Sequence, residues 1–289
     1  MKVTFLGCGA FEGIPALFCE CKLCKQARER KIYRTRSQLL VNDNLLIDFP
    51  PDSYYRALQM GVNLGKIENV LITHSHSDHF YSEDFYARGF WSSFRLPAET
   101  VTLHGNTAVR DIFERNGCAR QKGSYVHEAK GMLNGYKVFD LSSEYLVHKP
   151  FETFVIGKYT VTVLPAAHIP EENCFIYLVR EEDKTLLYAT DTGYFSRDVL
   201  DYLVRNEVKL DAMIIDSTYG LVRCFDKAHM DFFENADLRQ EMLSLGIINE
   251  KTLCFLTHVF HGAAKDLDTL EKALPLGYTL PYDGYTFIL

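Results

Sequence analysis

The chain has 289 residues, 47% hydrophobic and 24% charged, with a net charge of −7. That is an ordinary globular make-up, and its acidity argues against a general nucleic-acid binder. No apolar run approaches the ~18–20 residues that span a bilayer, and Gly7, Gly9, Glu12, Gly13 and Pro15 break the amino-terminal run that a signal peptide needs. The expectation is a cytoplasmic protein without a membrane role, whose eight cysteines are thiols or metal ligands rather than disulfides.

Lys2–Gly7 reads as a first strand, followed by a glycine-rich loop that lacks the spacing of a dinucleotide fingerprint. Cys19-Glu20-Cys21-Lys22-Leu23-Cys24 comes next and leads into a basic helical stretch, Lys25–Lys31. Ser37–Val41 and Asn44–Asp48 form a hairpin around Asn42-Asp43, and Ser53–Met60 is a helix closed by Gly61. Ile67–Thr73 is a strand that runs into Thr73-His74-Ser75-His76-Ser77-Asp78-His79. Ser77 or Asp78 can then cap a helix over Tyr81–Arg88. In the region 90–150, Val101–His104 is strand-like and Thr107–Arg115 helical. With 8 Lys/Arg against 6 Asp/Glu in 91–150, the rest either loops over one face of a site or caps the core.

Hairpins return at Phe154–Ile156 with Tyr159–Leu164, and at Phe175–Val179 with Thr185–Ala189. Val199–Asn206, Phe232–Leu245 and Leu267–Leu274 are helical. Ala212–Ile215, Thr252–Leu256 and Tyr285–Leu289 are strands. Cys174 and Cys254 read as small buried hydrophobes. No linker separates the halves, so residues 1–289 are expected to form a single α/β domain of two sheets between helices, elaborated at about 90–150.

Short apolar runs end repeatedly in one polar residue: Thr73 leads to His74, Ala167 to His168, Thr190 to Asp191, Ile215 to Asp216, and Thr257 to His258. In a layered α/β domain such ends converge on one rim. A lone aspartate at a strand end is usually a turn former, but five such ends beside a loop with three imidazoles and a carboxylate point to metal. Because Asp78 and His79 are adjacent and diverge, the loop suits two ions a few ångströms apart better than one.

At His74-Ser75-His76-Ser77-Asp78-His79, an H-x-H-x-D-H, the chain resembles the metallo-β-lactamase-fold hydrolases over nearly its whole length. The resemblance implies an αββα four-layer sandwich and a binuclear centre. One ion would take His74, His76 and His168, the other Asp78, His79 and His258, and Asp191 would bridge them. Cys19-x-Cys21-x-x-Cys24 and the His258-x-x-His261 pair are similar to the PhnP-type phosphodiesterases, accessory enzymes of the carbon–phosphorus lyase system. That implies a structural zinc on Cys19, Cys21, Cys24 and His261. Related phosphodiesterases carry an element like Asp216-Ser217-Thr218-Tyr219 followed by His229-Met230-Asp231. It implies that His229 is the general acid and a nearby carboxylate its orienting partner.

The implied activity is hydrolysis of a small phosphodiester, including cyclic ones, by a hydroxide held between two divalent ions, zinc or manganese, and oriented by Asp78. The small phosphodiester is the expected partner, and a homodimer is compatible with the reading. A tRNA 3′-processing endonuclease would share these ligands but needs a long basic arm, and the sequence holds no convincing one. A mononuclear iron oxidoreductase of the same fold would need neither His258 nor His229. A non-catalytic scaffold would have lost ligands, and a β-lactamase would carry an export signal.

Overall fold

The structure, a computed structural model, describes residues 1–85, 87–88, 100–118, 131–133, 136–138, 143–223 and 226–289. Two seven-stranded sheets dominate it. The first has the order β16-β1-β2-β3-β4-β5-β8, from β1 (Lys2–Gly7), β2 (Gln38–Val41), β3 (Leu45–Ile47), β4 (Asn69–Leu71), β5 (Val101–Gly105), β8 (Ser143–Val147) and β16 (Thr286–Ile288). The second runs β15-β14-β13-β12-β11-β10-β9, from β9 (Thr153–Ile156), β10 (Tyr159–Pro165), β11 (Phe175–Glu181), β12 (Lys184–Ala189), β13 (Ala212–Asp216), β14 (Leu253–Thr257) and β15 (Tyr278–Thr279). A small hairpin, β6 (Gly131–Leu133) with β7 (Tyr136–Val138), stands apart from both.

Each sheet is half meander and half parallel. Strands β16 to β3 and β9 to β12 pair antiparallel, whereas β3-β4-β5-β8 and β12-β13-β14-β15 pair parallel. The β2–β3 turn follows its residues. Asn42 and Asp43 both take positive φ (49° and 67°), which the tight β2–β3 connection requires and which these side chains tolerate.

Alternation along the strands builds three cores. On β12, Leu186 and Tyr188 face the other sheet, among Phe5, Phe175, Tyr177 and Phe255. Leu187 and Ala189 face outward onto α4 (Arg197–Arg205), α5 (Phe232–Ser244) and α6 (Leu267–Lys272). The outer face of the first sheet packs Leu6, Leu46 and Leu103 with Val109 and Phe113 of α3 (Thr107–Cys118), beside α2 (Ser53–Met60). With both faces covered, the strands carry nearly continuous apolar runs. The result is the αββα sandwich. Cys174 and Cys254 lie within it at 2% and 4% exposure.

Several elements differ in extent. The basic helix α1 (Lys22–Arg30) starts earlier than Lys25, because the Cys21 sulfur accepts a hydrogen bond from the Cys24 N–H and caps it. The strand before the histidine loop is only Asn69–Leu71, following a 3₁₀ turn at Leu64–Lys66. After the loop comes a 3₁₀ turn, Ser82–Phe85, where a helix from Tyr81 was expected, and Asp78 points to His79 and His258 instead of capping it. Of the region 90–150, β5 and β8 extend the first sheet and α3 covers it. Most of the remainder lies outside the described residues.

Candidate metal centre

The polar strand ends do converge. β4, β10, β12, β13 and β14 deliver His74, His168, Asp191, Asp216 and His258 to one rim of the two sheets. Groups of ligand atoms form there with all members within 4.8 Å, among them the two expected ones, His74, His76, His168 and Asp191, and Asp78, His79, Asp191 and His258; Asp191, Asp216, His229 and His258 also come within that distance. Asp191 belongs to both expected groups. Its Oδ2 lies 3.2 Å from His74 Nε2 and 2.7 Å from His79 Nε2. His258 Nε2 stands 3.6 Å from Asp78 Oδ2.

Hydrogen bonds behind the imidazoles set their direction. His79 Nδ1 donates to Asp48 Oδ2 at 2.7 Å, and His168 Nδ1 faces the Ala228 carbonyl at 3.2 Å. His74 Nδ1 meets Thr73 Oγ1 at 3.0 Å, and His258 Nδ1 meets Thr218 Oγ1 at 2.9 Å. Four histidines thus engage Nδ1 with a group outside the two ligand sets, the arrangement that orients an imidazole for a metal, and His258 Nδ1 also lies 2.9 Å from Asp191 Oδ1. His76 turns Nδ1 inward, to 3.2 Å from His168 Nε2.

The donor set fits divalent cations. Buried His74 Nε2 makes no hydrogen bond, and Asp191 Oδ1, although 2.9 Å from His258 Nδ1, accepts none. His79 Nε2 and His258 Nε2 face each other at 3.3 Å, a contact that neutral imidazoles fill with at most one proton. The carboxylates favour positive charge at this rim. Burial works against the charged form of His258, yet the Asp191 charge carries its pKa up to about 10, and His79 is raised in the same way by Asp191, Asp48 and Asp78. Where burial prevails it lowers His168 to about 4. Asp48, Asp191 and His258 are non-glycine residues at positive φ, 64°, 49° and 59°. Such backbone outliers concentrate at functional sites.

His229 stands beside this pair of groups. Its Nδ1 is 3.0 Å from both Asp216 Oδ2 and Thr218 Oγ1, and 3.5 Å from Asp191 Oδ1. Burial lowers its pKa, but the Asp216 charge and hydrogen bond outweigh that and raise it. Asp216, wholly buried, also accepts from the Met230 N–H at 2.9 Å and so ties the segment after β13 to the strand end. Gly193 makes room for that segment: a Cβ there would come 1.9 Å from the Lys227 carbonyl oxygen, next to Ala228 and His229.

The cysteine loop reaches the opposite side of His258. Cys19, Cys21, Cys24 and His261 form a further group within 4.8 Å, and buried His261 Nδ1 makes no hydrogen bond. Three thiols and an imidazole in this spacing suit tetrahedral zinc. Burial pushes the Cys24 thiol up to about 12. At Cys21 burial raises the value, but hydrogen bonds from Cys24 bring it below the ordinary thiol range. His261 is also tied to the glycine-rich loop by its N–H, which donates to Glu12 at 3.1 Å.

Every ligand proposed from the sequence is therefore brought into one of these groups, and His229 lies against them. Asp48, Thr218 and Glu172 went unassigned in the sequence reading. Asp48 carried a usable signal, since Leu45-Leu46-Ile47-Asp48 is another apolar run ending in an acid.

Solved structures share this architecture. A diphosphatase from the PhnP family superposes with a TM-score of 0.70 at 20% identity, covering 99% of this chain and 96% of that one. Zn(2+)-bound PqqB from Methylobacterium extorquens gives 0.68 at 18%, over 100% of both chains. The metallo-beta-lactamase fold protein YhfI from Bacillus subtilis gives 0.68 at 18%, over 99% and 98%. Among curated proteins, an octanoyltransferase of Porphyromonas gingivalis (strain ATCC BAA-308 / W83) is 36% identical over 83 residues, which are 27% of this chain and only 16% of that protein. The fold and the histidine–aspartate rim define a metallo-β-lactamase-type, metal-dependent hydrolase. A family model described as Anti-Pycsar protein Apyc1 matches residues 26–242, and the chain belongs to that family.

Proposed function

We propose that the protein hydrolyses a small phosphodiester, a cyclic nucleotide being the substrate class that its family favours. The observation that carries this reading is His229, held by Asp216 and Thr218 and 3.5 Å from the carboxylate shared by both ligand groups. A hydrolase that cleaves a P–O ester needs a proton for the departing oxygen, and His229 is set where it can supply one.

His74, His76, His168 and Asp191 would hold one ion, and Asp78, His79, Asp191 and His258 the other. Together such ions supply Lewis acidity toward a phosphoryl group and a water ionised near neutral pH. Asp78 would also orient the attacking water, whose oxygen would bond to phosphorus as the ester P–O bond breaks. His229 would give its proton to the leaving oxygen from Nε2, its Nδ1 being held by Asp216 and Thr218. Cys19, Cys21, Cys24 and His261 would bind a structural zinc.

The test is elemental analysis of the purified protein with a panel of 2′,3′- and 3′,5′-cyclic nucleotides, linear diesters and phosphomonoesters. About three metals per chain and conversion of a diester to its monoester are expected. One iron per chain with no phosphate chemistry overturns the reading.

A further inference from the structure

Ser75, between His74 and His76, is gripped by a carboxylate that takes no part in either ligand group. Glu172 Oε1 accepts from the Ser75 N–H at 2.9 Å and from Asn106 Nδ2 at 2.6 Å, and its Oε2 accepts from Ser75 Oγ. Among the described residues no Lys, Arg or His nitrogen lies within 4.0 Å of it, so three neutral donors hold the charge. Asn106 is itself fixed: only 2% exposed, it accepts from the Val109 N–H at 3.0 Å at the start of α3, donates to the Asn173 carbonyl at 2.9 Å, and receives Tyr145 Oη on its own carbonyl at 2.8 Å.

The placement matters because the first ligand group is divided between sheets. His74 and His76 follow β4 of the first sheet. His168 and Asp191 follow β10 and β12 of the second. Glu172 lies in the β10–β11 loop, four residues past His168, so its bonds to Ser75 and Asn106 cross the seam between the sheets at the rim. Just inside, the Phe175 N–H to Thr73 carbonyl bond, 2.9 Å, makes a second crossing. His76 is the exposed member of its group and has no outward Nδ1 partner like those of the other four histidines. The second group is braced otherwise, His79 by Asp48 and His258 by Thr218.

We propose that Glu172 is a positioning residue that sets the spacing of His76 from His168, and so tunes the metal affinity of the His74–His76–His168–Asp191 group and not that of its neighbour. The proposal rests on the binuclear reading above. Partners that orient metal ligands typically change affinity 10–100-fold.

Equilibrium dialysis of Glu172→Ala, Glu172→Gln and Ser75→Ala against Zn²⁺, with elemental analysis and activity followed along the titration, provides the test. Glu172→Ala should hold two zinc ions per chain where the wild type holds three. The third site should fill at roughly 10–100-fold higher Zn²⁺, and activity should return as it fills. Glu172→Gln, which keeps one acceptor oxygen, should fall between, and Ser75→Ala, which keeps the backbone donor, should lose least. If Glu172→Ala loads like the wild type, or loses both active-centre ions together, the proposal is overturned. If the wild type itself holds only one ion there, the binuclear reading falls and this proposal with it.

Discussion

At His229 the neighbours decide the role. Histidine is the side chain whose charge most readily changes near neutral pH, and here its Nδ1 is engaged by Asp216 and Thr218 while it remains 17% exposed. A proton donor needs both features: a partner that fixes the tautomer and an open edge toward substrate. His229→Ala should therefore lower kcat by about 10²–10⁴-fold and leave the metal content unchanged. Steady-state kinetics beside elemental analysis decide it: metal lost in parallel with activity would make His229 a ligand rather than an acid.

At the scale of elements, α1 is where a metal group and the fold meet. The Cys21 sulfur caps the helix, Arg28 and Arg30 occupy its last turn, and Lys31 closes it in the left-handed conformation. It is tied to the start of α6 by Lys22 with Asp266 (2.6 Å) and Arg30 with Asp268 (2.8 Å). The Arg30–Asp268 pair is exposed and contributes little, and Lys22 brings a largely exposed ammonium to Asp266, so the Cys19–Cys21–Cys24–His261 group should hold the loop before α1 more firmly than they do. Cys24→Ser should lose one metal per chain and melt at a lower temperature, with roughly 2–4 °C for each kcal/mol lost. The metal content of the histidine–aspartate rim should be unchanged. Calorimetry with metal analysis tests this, and a variant that melts like the wild type would remove the structural role.

At the scale of the molecule, the C-terminal segment closes the first sheet. β16 pairs with β1, and just before it Asp283 accepts from Thr35 N and Oγ1, both at 2.8 Å, with Arg56 at 3.6 Å. Burial raises its pKa to about 6 despite those donors and the Arg56 charge. The folded state therefore holds this proton more tightly than the unfolded chain, whose carboxyl titrates near ~3.9. The group's contribution to stability is complete below that value and is lost as the pH rises through about 6. Asp283→Asn should gain stability relative to wild type between pH ~4 and ~6 and keep a constant difference above that. Denaturant melts across this range check it, and a flat difference would show that Asp283 titrates normally.

The residues of the two candidate ligand groups, the cysteine group and His229 were legible in the sequence because each sits where an apolar run stops or where His, Cys and Asp crowd at short spacing. Periodicity placed most strands and helices, since strands covered on both faces must be apolar throughout. What the sequence did not determine is every contact that needs distant segments together. Asp48 finds His79 across 31 positions, Thr218 finds His258 across 40, and Glu172 finds Ser75 across 97. The Ser82–Phe85 turn escaped too, because local propensity favoured a helix there while the packing of Phe80 and Phe85 against Phe49 holds the chain in the tighter form. The sequence by itself determined which residues can bind metal and the sandwich that carries them. Only the tertiary structure decided what braces each imidazole, because that depends on two sheets meeting at one rim.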